Sequence, residues 1–344
     1  MEKSVSYKIS YATFIANIMI LLQHSDLTGY FDPVKRDISM YIMEFFYNIA
    51  LSVMGLFFFI TAYLFFRKVV TVRDTLKKCR SRLYTLVLPY MIWNTVGAFF
   101  HFFGGDYDQC TIGQIFRNAY LFYNGEGCGD LPLWYIFRIL SFMVFSPFVF
   151  KILYRMRKEL FILIELLLIV FNIIYKADYY SFSFFLPVYL MGAYVGLNYS
   201  AMFEKFLKGK EVDENRNYKA GGLSVILIGL TYVTKYITFR GSGMLFRIVF
   251  LIIILFILHY VTYRTKPSVF VASSGMYLYC AHDLVYRIIR NLVIFKIGSS
   301  MFVSWLILII ASSVIMFGSW IFLYHMAPKL LSVLSGGRNV KSHG

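Results

Sequence analysis

The sequence predicts an all-α protein, a polytopic membrane helix bundle of about ten transmembrane helices with both termini cytoplasmic. Three observations predict it. The 344-residue chain is 59% hydrophobic and only 15% charged, where a soluble domain carries roughly 25% charged residues. Apolar runs of about 20 residues, the length that crosses a bilayer, recur from end to end. Lys and Arg gather between alternate runs, as they do in loops retained on the cytoplasmic side.

The expected helices follow in order: 9–29, 41–66, 83–103, 132–154, 159–175, 182–202, 220–236, 244–263, 269–294 and 301–326. The first run contains Gln23 and His24 and lacks a small-residue exit site, so it reads as a retained helix rather than a cleaved signal. The second is followed by the most basic stretch, 67–82, read as a loop. Between the third and fourth lies a polar loop, 104–131, with Asp106, Asp108, Glu126 and Asp130 against Arg117. Further basic loops follow the fourth, sixth and eighth helices. All then fall on one side, together with both ends, which sets the orientation. The same asymmetry accounts for the net charge of +16, so no nucleic-acid partner is called for. No internal repeat or second soluble domain interrupts residues 1–330, which read as one transmembrane domain with a short basic tail over 331–344.

An ionisable side chain inside a membrane-length segment is expensive and marks a cavity or a working site. His24, near the end of the first run, is such a group, and imidazole transfers protons near neutral pH. A carboxylate that orients an imidazole makes a general base. Glu44 and Asp26 are candidates, and Asn48 follows Glu44 one turn on. A structural histidine bonded to a neighbouring helix is the plain alternative. Lys78, Arg80 and Arg82 serve equally as topology determinants or as an anion clamp for a phosphate-bearing ligand. Arg138, Arg247, His282, Asp283, Arg287 and Arg290 place further ionisable groups at depth, although several could snorkel to an interface. His282 and Asp283 are neighbours on a helix and point in different directions. No Cys/His cluster has zinc-site spacing, so no metal is expected.

The order of certain pieces resembles the acyltransferase 3 family of integral membrane O-acyltransferases over almost the whole chain. They are Leu21-Leu-Gln-His24; Gly55-Leu-Phe-Phe-Phe-Ile-Thr-Ala-Tyr63; Arg82-Leu-Tyr-Thr-Leu-Val-Leu-Pro89-Tyr90; Leu133-Trp134-Tyr135 with Ser146-Pro147; Phe185-Leu-Pro-Val-Tyr-Leu-Met-Gly192; and Ser274-Gly-Met-Tyr-Leu-Tyr-Cys-Ala-His282. The resemblance implies acetyl or another acyl group carried on coenzyme A at the cytoplasmic face of the plasma membrane. It implies a sugar hydroxyl as acceptor, on a surface or exported polysaccharide or its lipid-linked precursor. His24 becomes the catalytic base with Glu44 beside it, and Arg80, Arg82 and Lys78 the acetyl-CoA contacts. Asn48, Arg138 and His282 are expected to line the acceptor route. Two positions depart from the family pattern. Thr13 stands where Arg or Lys precedes the histidine by eleven residues, and Thr61-Ala62 replaces Ser-Gly. The rival reading is a transporter or flippase for a lipid-linked sugar, which usually shows internal repeats.

Cys110 and Cys128 share the polar loop on the outer side, where oxidation is permitted. A bridge leaves neither thiol open to alkylation under non-reducing conditions; two alkylated thiols in an intact-mass measurement exclude it.

Overall fold

A computed structural model describes residues 1–27, 38–103, 111–121, 131–175, 181–209, 215–233, 242–261, 265–296 and 300–337. Cys110, Cys128 and the four acids of the polar loop lie outside these residues. In chain order the helices are α1 (Lys3–His24), α2 (Ile38–Phe66), α3 (Val72–Arg82), α4 (Leu88–Phe103), α5 (Ile112–Leu121), α6 (Trp134–Val144), α7 (Ser146–Leu153), α8 (Lys158–Ile174), α9 (Leu186–Asn198), α10 (Ser200–Lys208), α11 (Arg216–Val233), α12 (Ser242–Tyr260), α13 (Val269–Ser273), α14 (Gly275–Lys296), α15 (Met301–Met326) and α16 (Pro328–Leu334). No strand occurs among the described residues. The protein is an all-α membrane bundle.

Among the described residues five helices are long and apolar enough to cross a membrane: Lys3–His24, Ile38–Phe66, Val72–Phe103, Gly243–Tyr260 and Met301–Met326. The pair α6 and α7, counted as one span, makes a sixth. The remaining expected segments are helical over their described residues, and most fall short for an evident physical reason. The α8 helix has 17 residues. Tyr199 separates α9 from α10. The α14 helix carries Asp283, Arg287 and Arg290 in its length. Pro147 lies in the first turn of α7 and interrupts the fourth expected helix there.

The stretch expected as a basic loop is largely the helix α3. Asp74 accepts from the backbone N–H groups of Val70 (3.2 Å) and Thr71 (2.9 Å), while Thr71 Oγ1 accepts from the Asp74 N–H at 3.3 Å. This is a reciprocal N-terminal cap, and Lys and Arg are good helix formers. The polar loop likewise contains α5, capped by Thr111 and Gln114 in the same way. A π-helical turn, Leu83–Val87, joins α3 to α4. Its cause is Pro89, which has no N–H to offer the carbonyl of Thr85 and crowds it. Gly336, at φ 72°, lies against that same carbonyl, where an added Cβ would come within 2.0 Å of the oxygen.

The chain forms two compact units. The first comprises Met1–Ala16, Asn48–Cys79 and Phe142–Ser268. Its core is aromatic: Phe58, Phe59, Tyr63, Phe65, Phe66, Phe142, Phe185 and Tyr189 are fully buried. Phe58 stacks on Phe185 with centroids 4.3 Å apart. Helix ends here are capped by buried cations. Lys8 Nζ donates to the carbonyls of Leu207 (2.5 Å) and Leu258 (2.9 Å), and Arg216 to those of His259 (3.0 Å) and Tyr260 (3.1 Å). Cations there satisfy orphan carbonyls and oppose the negative end of the helix dipole. Arg216, expected in a loop, opens α11.

The second unit comprises Asn17–Tyr47, Arg80–Ser141 and Val269–Gly344. In it α14 packs on α15, α13 and α4, and α16 packs on α4. Trp93 Nε1 donates to the carbonyl of Leu334 at 3.2 Å, so ordered packing continues beyond residue 330.

Within the first unit α9 approaches α2 through glycine. A Cβ on Gly192 would stand 2.3 Å from the backbone oxygen of Phe59. Gly192→Ala is expected to destabilise by about 1–3 kcal/mol or more through overpacking, read as a lower unfolding temperature in detergent. Gly229→Ala, where a Cβ meets nothing within 4 Å, should leave that temperature unchanged or raise it.

Candidate functional site

His24 closes α1, and its backbone is held from two directions. Arg290 Nη2 donates to the His24 carbonyl at 3.1 Å. The next residue, Ser25, is fully buried. Its hydroxyl donates to the Leu22 carbonyl at 2.7 Å and accepts from Trp305 Nε1 at 3.0 Å. Beyond it Leu27 enters a core cluster with Met43, Tyr286, Ile289, Met301, Trp305 and Leu308. The helix thus ends at a fixed point, with the His24 side chain half-buried.

The ring of His24 meets that of His282 edge to face, with centroids 4.8 Å apart and planes at 64°. His282 is fully buried on α14. Its Nδ1 lies 2.6 Å from the carbonyl oxygen of Tyr279, one turn earlier. The charged groups acting on the His24 ring are Asp283 and Arg290. Adjacent residues on α14 therefore both serve His24, one by ring contact and one by charge.

Asp283 is nearly buried and needs a counter-charge. Arg287, one turn on, supplies it: Nε donates to Oδ2 at 2.9 Å. Arg287 Nη1 then lies 2.7 Å from His101 Nε2 on α4. Since a guanidinium only donates, that nitrogen of His101 carries the lone pair. Asp283, Arg287 and Arg290 repeat at helical spacing and so share one face of α14.

The other expected site residues are distributed as follows. Glu44 is half-buried on α2, next to Met43 of the same core cluster. Asn48 is half-buried and opens the part of α2 that belongs to the first unit. Arg138 is half-buried on α6, over the Phe137 ring at 5.5 Å, and acts on Tyr90. Arg80 is exposed at the end of α3. Arg82 is half-buried and within electrostatic reach of Tyr135. The Tyr135 ring meets Tyr279, whose ring is 5.8 Å from His282. Lys78 belongs to the first unit, where its ammonium caps the carbonyl of Phe65 at the end of α2. Thr13 Oγ1 donates back to Ile9 and Ser10 of its own helix. Sequence reasoning missed His101; its only signal was an imidazole at the end of an apolar run. Among the described residues no group of three or more His, Cys, Asp or Glu is placed to hold a metal.

Chemically, the site is an imidazole at a helix end, partly open, with a carboxylate and a guanidinium within electrostatic reach. An imidazole in such a place can act as a general base.

Removing the arginine of a buried pair leaves an uncompensated charge. Arg287→Ala should cost about 2–3 kcal/mol, at or below the lower end of the buried-pair range because Arg287 is a third exposed. Adding Asp283→Asn should recover part of it, so thermal unfolding of the two single variants and the double variant should show coupling.

Residues 7–324 match the family model Acyl_transf_3, described as an acyltransferase domain. No curated protein and no solved structure matches the chain.

Proposed function

The chain belongs to the acyltransferase 3 family and is a membrane acyltransferase; we propose that it transfers acetyl from acetyl-CoA to a hydroxyl of a cell-surface or exported polysaccharide or its lipid-linked precursor. The observation that carries the mechanism is the His24 ring at the end of α1, half-buried, in edge-to-face contact with His282 and within electrostatic reach of Asp283 and Arg290.

His24 accepts the proton of the sugar hydroxyl through a ring nitrogen as the oxygen attacks the thioester carbonyl. The C–O bond forms and the carbonyl oxygen takes up the displaced electron pair. The tetrahedral intermediate then collapses and the C–S bond breaks. Coenzyme A leaves as thiolate and recovers the proton from the imidazolium. The charge of Asp283 favours that imidazolium and the charge of Arg290 opposes it; a carboxylate already in place acts on the charge that develops in the transition state.

The donor is held from the cytoplasmic face of the plasma membrane by Arg82 and Arg80, whose guanidinium forks suit phosphate. Lys78 is a further candidate for this role; its ammonium also caps the Phe65 carbonyl with one of three donors. Glu44 and Asn48 remain candidates along the acceptor route, and Arg138 beside Tyr90 is a third.

Deleting the gene should remove acetyl ester from the cell's glycans, and the wild-type gene should restore it. His24→Ala should not, since a positioned base is worth about 10²–10⁴-fold in rate. Ester content indifferent to both changes would refute the reading. Arg82→Ala should raise KM for acetyl-CoA about tenfold or more, the worth of a charge-assisted hydrogen bond; an unchanged KM removes Arg82 from the donor site.

A further inference from the structure

Helix α14 carries a second histidine whose bonding pattern is incomplete. Nδ1 of His282 lies 2.6 Å from the Tyr279 carbonyl oxygen. An oxygen lone pair requires a donor opposite it, so Nδ1 bears the hydrogen and the neutral ring keeps its lone pair on Nε2. That Nε2 is buried and has no hydrogen-bond partner among the described residues. A buried acceptor left unpaired is unfavourable, and where one persists it has a reason.

The neighbouring ring is His24. The contact is edge to face at 4.8 Å between centroids, and the terminal torsion of histidine is soft. A small rotation of the half-buried His24 ring turns an N–H toward the open acceptor. The backbone of His24 cannot drift away from it, because Arg290 on the same helix α14 holds the His24 carbonyl at 3.1 Å.

We infer that His282 is the positioning residue of His24: its Nε2 accepts from one ring N–H of His24 and so leaves the other ring nitrogen as the lone pair that faces the acceptor hydroxyl. This rests on His24 being the base. A carboxylate usually orients a catalytic imidazole; here the orienting atom is a neutral imidazole nitrogen. Its tautomer is set in turn by a backbone carbonyl. Asp283 then acts on both rings by charge, while its own oxygen is bonded to Arg287. His282, expected to line the acceptor route, would instead act through His24.

The test uses full-length protein in membrane vesicles that contain the natural acceptors, following release of free coenzyme A thiol as acetyl-CoA is varied. Rates are normalised to protein recovered as a monodisperse peak in detergent. His282→Phe keeps a ring in the same space and removes the acceptor. It should lower kcat about 100-fold, within the range for a positioned base, with KM for acetyl-CoA unchanged. His282→Gln places an amide oxygen near the position of Nε2 and should stay within about tenfold of wild type. If the phenylalanine variant is not recovered, His282→Leu replaces it with the same expectation. An apolar variant within threefold of wild type makes His282 a space filler and overturns the inference. So do equal losses in the apolar and glutamine variants, or a change confined to KM. His24→Ala run alongside separates the two layers: if it stays active, the assignment of the base has failed, whatever His282 does.

Discussion

A carboxylate cannot lie unpaired inside a membrane bundle, and the ion pair of Asp283 with Arg287 is the constraint on which the second unit depends. It lets α14 run through the interior with most of its first three turns buried. The same face then continues to Arg290, which ties α1 at its last residue. Arg287 reaches His101 on α4. One polar stripe thereby joins α14 to α1 and α4, while α14 also packs on α15, where the Tyr277 hydroxyl donates to Ser319 Oγ at 3.0 Å. In a bilayer, helices gain little from burying apolar surface against each other. Specific polar contacts of this sort fix which helices meet and in what register.

The site uses that constraint. His24 stands at a helix end, so its carbonyl lacks an intrahelical partner. Arg290 fills the vacancy, and the opposite side is closed by Ser25 between Leu22 and Trp305. The order of the backbone is achieved without enclosing the imidazole, which keeps partial exposure. A base needs both properties: a fixed position, and a nitrogen still reachable by substrate.

The local parts of this arrangement were readable in the sequence. His24 stood out as an ionisable group in an apolar run, and the motif ending at His282 marked the other half. The reciprocal cap Thr71-Val-Arg-Asp74 was equally visible, yet the density of Lys and Arg beside it reads as a loop under a charge rule made for topology. The meeting of His24 with His282 was not readable. The two are 258 positions apart in the numbering, and periodicity says which face a residue takes but never which helix it faces. Asp26 is suggested by adjacency and Glu44 by an antiparallel helix that begins near His24. Asp283, 259 positions away in the numbering, acts on the ring by charge through the fold.

The same reasoning bears on the departure at Thr13. A cation three turns before the histidine would act along a single helix, from a position fixed by the 3.6-residue repeat. Thr13 instead closes its hydroxyl onto its own backbone. The positive charge at His24 comes from α14, through Arg290. That source differs in kind: it depends on two helices staying together, and it arrives with Asp283 on the same face. The imidazole is therefore within electrostatic reach of a cation and an anion that stand on one face of α14. His282 belongs to the same helix, so the charges and the ring contact at His24 all come from a single element.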